Sequence, residues 1–244
     1  MRLRVRIDDL AGRQVRRLQH RLVTHAPPGL QVRGILYRPK GPEKPRRGLI
    51  YVKGRHDDIS GVDYDSLLPL FGRYEILVLQ PRATDFPISD VNWVTYERTA
   101  EILGSTVESM QVWDIMRAMH FMTANEKLDP ASLSLYGKGD MGILALYAAI
   151  MDSQSPSCVV LNRPPTTHWN GAPLLNVLRV TDIPEAAALF APHRLVLLQP
   201  AGNGFEHTAA LYRLTGHANQ FQKARSLPAA LKVWEQQRSP EGLK

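Results

Sequence analysis

Asp140 and His56 are the two side chains in this 244-residue chain whose type and setting suit chemistry at a reacting centre. Asp140 lies in Gly137-Lys138-Gly139-Asp140-Met141-Gly142. That stretch joins a strand-like run, Leu133-Ser134-Leu135-Tyr136, to a helix-like one beginning Ile143-Leu144-Ala145-Leu146. A carboxylate presented on such a turn can attack a carbon centre and form an ester, which an activated water must then hydrolyse. The same carboxylate is favourable at a helix N-terminus without any catalysis, through capping and the helix dipole. His56, in Lys53-Gly54-Arg55-His56-Asp57-Asp58, follows another strand pattern and could act as a general base or hydrogen-bond donor. A turn histidine beside two acids is the plainer account of it.

Cations gather at the same places. Lys53 and Arg55 follow one strand pattern, Arg82 follows a second, Lys138 sits in the glycine-rich turn, and Arg163 follows a third. In a parallel sheet the carboxyl ends of these strands would bring all five together. With Gly139, Met141 and the unpaired N–H groups of the helix start, they predict a site for a small anionic ligand. Alternatively, the five chains splay into water or pair with Asp57, Asp58, Asp85 and Asp140. Gly137, Gly139 and Gly142 also spell G-x-G-x-x-G, a dinucleotide fingerprint. The acid expected after the next strand is missing, because Leu161 is followed by Asn162 and Arg163, although an arginine there would suit a 2′-phosphate. The motif also comes after a hairpin and two buried strands, whereas a fingerprint normally opens its fold. No cofactor is predicted. His168 reads as a surface residue, His207 and His217 are too far apart to form a one-face helical pair, and no metal site is predicted.

These residues need strands to place them. Segments 17–25 and 30–38 alternate apolar and polar residues around Pro27-Pro28-Gly29 and predict an N-terminal hairpin. A Pro-, Lys- and Arg-rich connector over 39–47 leads to Gly48-Leu49-Ile50-Tyr51-Val52, the first strand that reads as buried on both faces. Further strands are predicted at 75–79, 132–136, 157–161 and 194–198, with a last one at 220–224. Helices are predicted at 66–71, 95–103, 107–123, 142–151, 184–190, 206–214 and 228–237. Alternating strands and helices indicate a mainly parallel sheet covered on both faces, with its ligand site beyond the carboxyl ends of the strands. The whole of 1–244 reads as one domain, with residues 1–47 as ribbon and connector and 48–238 as core.

Composition narrows the function classes. An apolar share of 44% with 22% charged residues is that of a soluble globular protein, and no apolar run approaches the roughly 20 residues of a membrane helix. The N-terminus alternates arginine with apolar residues and lacks the apolar core of a signal peptide, so a cytoplasmic location is expected. Cys158 is the single cysteine, in an apolar run, and reads as core rather than as a reactive thiol. The net charge of +7 is concentrated before residue 48. Its arginines alternate with strand-like apolar residues and carry no aromatic stacking pattern, which weighs against nucleic acid as a partner.

A hairpin first, then alternating strands and helices, with the glycine-rich turn after the third buried strand: in this order of elements the chain resembles the α/β-hydrolase fold. Segments 92–104 and 111–119, together with Thr181-Asp182-Ile183-Pro184-Glu185 and 189–194, are similar to bacterial acetyl-xylan-esterase-like hydrolases. The resemblance extends over residues 48–234. It implies acyl-ester hydrolysis by a Ser-His-Asp triad, with an oxyanion hole supplied partly by the backbone after the nucleophile. This chain departs from that pattern at each triad position. Gly139 stands where a G-x-S-x-G turn carries its serine. The loop after the strand at 194–198 offers only Glu206, and Arg225-Ser226-Leu227 follows the last strand with no histidine, His217 lying before that strand. The expectation is a pseudo-hydrolase that binds a small anionic ligand or serves as an interaction module, with a protein partner or a second copy of itself. The alternatives are an active hydrolase or lyase of non-standard mechanism using Asp140 and His56, and third an NAD(P)-binding enzyme built on Gly137, Gly139 and Gly142.

Overall fold

The apolar runs form the centre of a sheet in the computed structural model, which describes residues 15–23, 31–39, 47–57, 62–84, 91–200 and 202–236. Its strands are β1 (Val15–Val23), β2 (Gln31–Pro39), β3 (Gly48–Val52), β4 (Glu75–Gln80), β5 (Leu133–Lys138), β6 (Cys158–Asn162), β7 (Arg194–Leu198) and β8 (Phe221–Ala224). They join in the order β1-β2-β4-β3-β5-β6-β7-β8. The strands from β4 to β8 in that order are parallel, and β1 and β2 extend the sheet as an antiparallel hairpin on β4. The Pro27-Pro28-Gly29 turn, most of the basic connector, and Asp58 and Asp85 lie outside the described residues.

Helices cover both faces: α1 (Val62–Leu67), α2 (Val91–Ile102), α3 (Val107–His120), α4 (Asp140–Met151), α5 (Ile183–Ala188), α6 (Glu206–Leu214) and α7 (Leu227–Gln236). The two-residue period of the strands divides the core. Ile50, Val52, Leu77, Leu79, Leu135, Val159 and Leu161 pack under α3 and α4, while Leu49, Tyr51, Ile76, Val78, Tyr136 and Val160 pack against Leu67 of α1 and Leu227 and Leu231 of α7. Each fully buried aliphatic chain contributes about 1.5–3 kcal/mol, so both coverings are strongly held. Among the described residues, no helix is long and apolar enough to cross a membrane.

Two expectations shift. The short helix predicted at 66–71 is instead α1 followed by a 3-10 turn over Leu68–Leu70, where Pro69 cannot donate to continue the helix. β5 continues past Tyr136, because Gly137 and Lys138 stay in register with Leu161 and Asn162 of β6. The chain order reverses between β3 and β5, so their carboxyl ends open the crevice where such sheets bind ligands.

Candidate functional site

The turn from β5 to α4 is tightly packed and carries Gly139 at its apex. A Cβ on Gly137 would lie 2.6 Å from the Gly142 nitrogen and from the Met141 carbonyl, and one on Gly142 would lie 2.9 Å from the Gly137 oxygen. Two glycines therefore let the helix dock directly over the strand end. Between them Gly139 takes φ 50° and ψ −128°, a region that strains any residue with a side chain, and donates its N–H to the Asn162 carbonyl at 2.8 Å. A Cβ there would meet nothing within 4 Å, so the turn aims at open space. Asp140 is already the first residue of α4, which makes Gly139 rather than Asp140 the occupant of the strained position. The shifted frame that would make Asp140 an elbow nucleophile is not the frame the backbone adopts.

A pocket of about 390 Å³ opens beside this turn. The loop after β3 contributes Gly54, Arg55, His56 and Asp57, and the elbow contributes Lys138, Asp140 and Met141. Thr84 comes from the loop after β4, Trp93 and Glu97 from α2, and Glu108 and Gln111 from α3. His56 and Asp140 thus share one pocket, as do Arg55, Lys138 and Met141.

The β3 loop is held from below. Asp57 Oδ2 accepts the Gly54 N–H at 2.9 Å and the Tyr51 hydroxyl at 3.2 Å, while Lys138 Nζ stands 3.7 Å from Oδ1. Burial, and then the Asp57 charge, push the Tyr51 hydroxyl well above its ordinary value, so it remains a donor. Its ring meets that of Tyr136 edge to face at 4.9 Å, and Tyr136 accepts from Asn162 Nδ2 at 2.9 Å. Arg55 lies over the Trp93 ring at 4.2 Å and donates to the Ala83 carbonyl at 3.2 Å.

The predicted ring of five cations is not assembled. Arg82 is held by Asp114 of α3, with Nη2 to Oδ1 at 2.5 Å and Nε to Oδ2 at 3.0 Å, and it does not line the pocket. Arg163 is exposed and donates to Gln199 Oε1 at 2.8 Å, and Lys53 donates to the Gly54 carbonyl at 3.2 Å. Gly139 shapes the turn but is not among the lining residues. With Arg163 turned to Gln199 and the glycine motif following β5 rather than β3, the dinucleotide frame also loses its support.

Carboxyls outnumber cations on the wall, and sequence reasoning missed most of them. Glu108 is half-buried in the first turn of α3, whose Thr106–Ser109 capping box fixes the start of the helix. Burial first, then the charges of Glu97, Asp140 and Glu101, push its carboxyl up to about 7, although its own backbone N–H opposes the shift. Asp140 keeps contact with solvent, yet the surrounding protein displaces enough water to raise its pKa. The Ala172 backbone N–H, which donates to it, and His168 oppose that rise. Among the described residues, no group of three or more His, Cys, Asp or Glu side chains converges as metal ligands.

His168 is buried rather than on the surface as expected. Its Nδ1 lies 2.8 Å from the Ala172 carbonyl, which can only accept, so Nδ1 donates there, and Nε2 is hydrogen-bonded to the Tyr147 hydroxyl at 2.9 Å. Asp182 Oδ1 accepts the backbone N–H of His168 at 2.8 Å and that of Ile183 at 2.7 Å, tying this segment to the start of α5. Asp140 is therefore linked through Ala172 to a buried polar network as well as to the pocket. Glu206 is exposed at the start of α6, and β8 passes through Arg225 and Ser226 directly into α7.

No protein-family model matches the sequence, and no curated protein matches it. Solved structures do match. A Bacteroides fragilis protein assigned as an acetyl xylan esterase superposes with a TM-score of 0.61 at 13% identity, over 93% of this chain and 74% of its own. A Klebsiella pneumoniae protein assigned as a dienelactone hydrolase gives 0.59 at 13%, over 91% and 96%. An acetyl xylan esterase from Paenibacillus sp. R4 gives 0.52 at 16%, over 95% and 91%. At such identities the likeness shows the fold, and all three have the α/β-hydrolase fold.

Proposed function

From the premise that the chain has the α/β-hydrolase fold and is related through it to esterase-type hydrolases, we propose that it is a pseudo-hydrolase: it keeps the pocket of the fold and binds a small ligand there without acyl transfer. The observation that carries this is Gly139. The backbone retains the strained elbow conformation and open space above it, but offers no atom to attack a carbonyl. After β7 the first carboxylate is the exposed Glu206 at the start of α6, and the entry to α7 carries no histidine to activate a nucleophile. An oxyanion could still be met by the N–H groups that open α4, ahead of those of Gly142 and Ile143, which donate to the Gly139 carbonyl at 3.1 and 3.4 Å. Donors alone do not transfer an acyl group. A panel of short-chain acyl esters is the test: turnover should not exceed the uncatalysed rate, and saturable turnover by the purified chain would overturn the proposal.

One observation favours a second reading, an acid–base enzyme. Glu108 is held at about 7 in the same pocket as Asp140 and His56, and a carboxyl of that pKa can both donate and accept a proton near neutrality. Under this reading Glu108→Gln and Asp140→Asn would each abolish a turnover detected with any hydrolase or lyase substrate, with folding intact. Under the binding reading there is no turnover to lose.

A further inference from the structure

Gln111 carries information about the occupant of the pocket. Only 4% of the residue is exposed, and its Nε2 donates to the Arg82 carbonyl at 2.8 Å. Because a carbonyl only accepts, the amide cannot be turned over, and the atom left at its other end is Oε1. That oxygen is buried with no hydrogen-bond partner, and Gln111 lines the pocket. A buried acceptor without a donor costs stability. What it lacks is an N–H or O–H donor.

Carboxyls outnumber cations around it. Glu108 stands three residues earlier on α3, and residues so spaced share a helix face. Glu97 of α2 and Asp140 of α4 line the same pocket. Of the two cations that could offset them, Lys138 stands 3.7 Å from Asp57, and Arg55 lies over the Trp93 ring and donates through Nη2 to the Ala83 carbonyl, its buried Nη1 being left without a partner. His56 stands at the exposed rim.

We infer that the pocket takes a small organic cation, a primary ammonium group seated among Glu97, Glu108 and Asp140 with one N–H directed to Gln111 Oε1. This rests on the pocket being a binding site, as proposed above, and fixes the class of its ligand. A cavity of about 390 Å³ holds a molecule the size of a substituted aromatic amine.

Benzylammonium, benzyl alcohol and benzoate share one shape and differ in charge, so isothermal titration of the whole chain with each at pH 8 isolates the sign. Benzylammonium should bind at least about tenfold more tightly than the alcohol, the worth of one charge-assisted hydrogen bond, and benzoate should not bind. Glu108→Gln, which keeps the shape of the side chain, should weaken the ammonium by about tenfold and leave the alcohol unchanged. Binding of benzoate in preference, equal affinity for all three, or no binding of benzylammonium overturns the inference. The variant is not essential, since the comparison within the unmodified chain decides alone. Ester turnover would overturn the pseudo-hydrolase reading while leaving ammonium selectivity intact, and loss of that selectivity would leave the absence of turnover intact.

Discussion

Replacing the elbow glycines one at a time separates backbone strain from steric exclusion. At Gly139 an alanine Cβ meets nothing within 4 Å, so the whole cost of Gly139→Ala is that of holding an L residue at φ 50° and ψ −128°. Such conformations cost on the order of 1–3 kcal/mol. For a chain of this size each kcal/mol lowers the melting temperature by about 2–4 °C. At Gly137 the added Cβ would lie 2.6 Å from the Gly142 nitrogen and the Met141 carbonyl carbon and oxygen. These are backbone atoms, and relief requires lifting α4 off β5. Gly137→Ala should therefore exceed about 4 kcal/mol, the range reserved for core disruption. Urea unfolding followed by tryptophan fluorescence measures both, and Gly139→Ser should behave as Gly139→Ala does. Equal losses for the two glycines, or no loss at Gly139, would refute the elbow geometry derived above.

Three further outcomes follow from the surroundings of the pocket. The Glu108 carboxyl is protonated in the folded chain between its ordinary value of 4.5 and about 7, where the unfolded chain is already ionised. The folded state then binds more protons, and stability falls as pH rises through that window. Glu97, Glu101 and Asp140 face Glu108 and hold the shift up. Glu108→Gln should accordingly melt higher than the unmodified chain at pH 8, with the gap closing below pH 5, as thermal scans across pH will show. Asp114→Ala removes the partner of the half-buried Arg82 guanidinium and its backbone N–H, and should cost about 3–5 kcal/mol in urea unfolding. His168→Leu leaves the Ala172 carbonyl and the Tyr147 hydroxyl without partners and should cost about 1–3 kcal/mol by the same assay.

The fold was legible wherever a run of residues carries its own answer. β3 is five residues with no charge among them, β7 is an unbroken apolar tetrad behind Arg194, and α6 has a clean helical period; all three have the bounds the sequence predicts. The elbow was legible because close approach and positive φ both demand glycine, at Gly137, Gly139 and Gly142. The pocket wall was not, because it depends on how α2 and α3 cross the ends of the strands. Nothing local to Glu108 or Gln111 distinguishes them from solvated helix residues; only the packed fold turns that face of α3 toward Lys138 and Asp140. Arg82 was misplaced for a related reason. Its partner Asp114 lies 32 residues away, and the pairing exists only once α3 lies beside the β4 loop. His168 was misread because what buries it, Tyr147, Ala172 and Asp182, comes together only in the packed fold.

Covalent labelling addresses the central claim most directly, because a hydrolase that works through a serine marks itself. The intact mass of the chain after incubation with a serine-reactive phosphonate should be unchanged, since Gly139 presents nothing to phosphorylate. A single stoichiometric adduct, blocked by a short-chain ester, would contradict the claim that this fold has kept its elbow and lost its nucleophile.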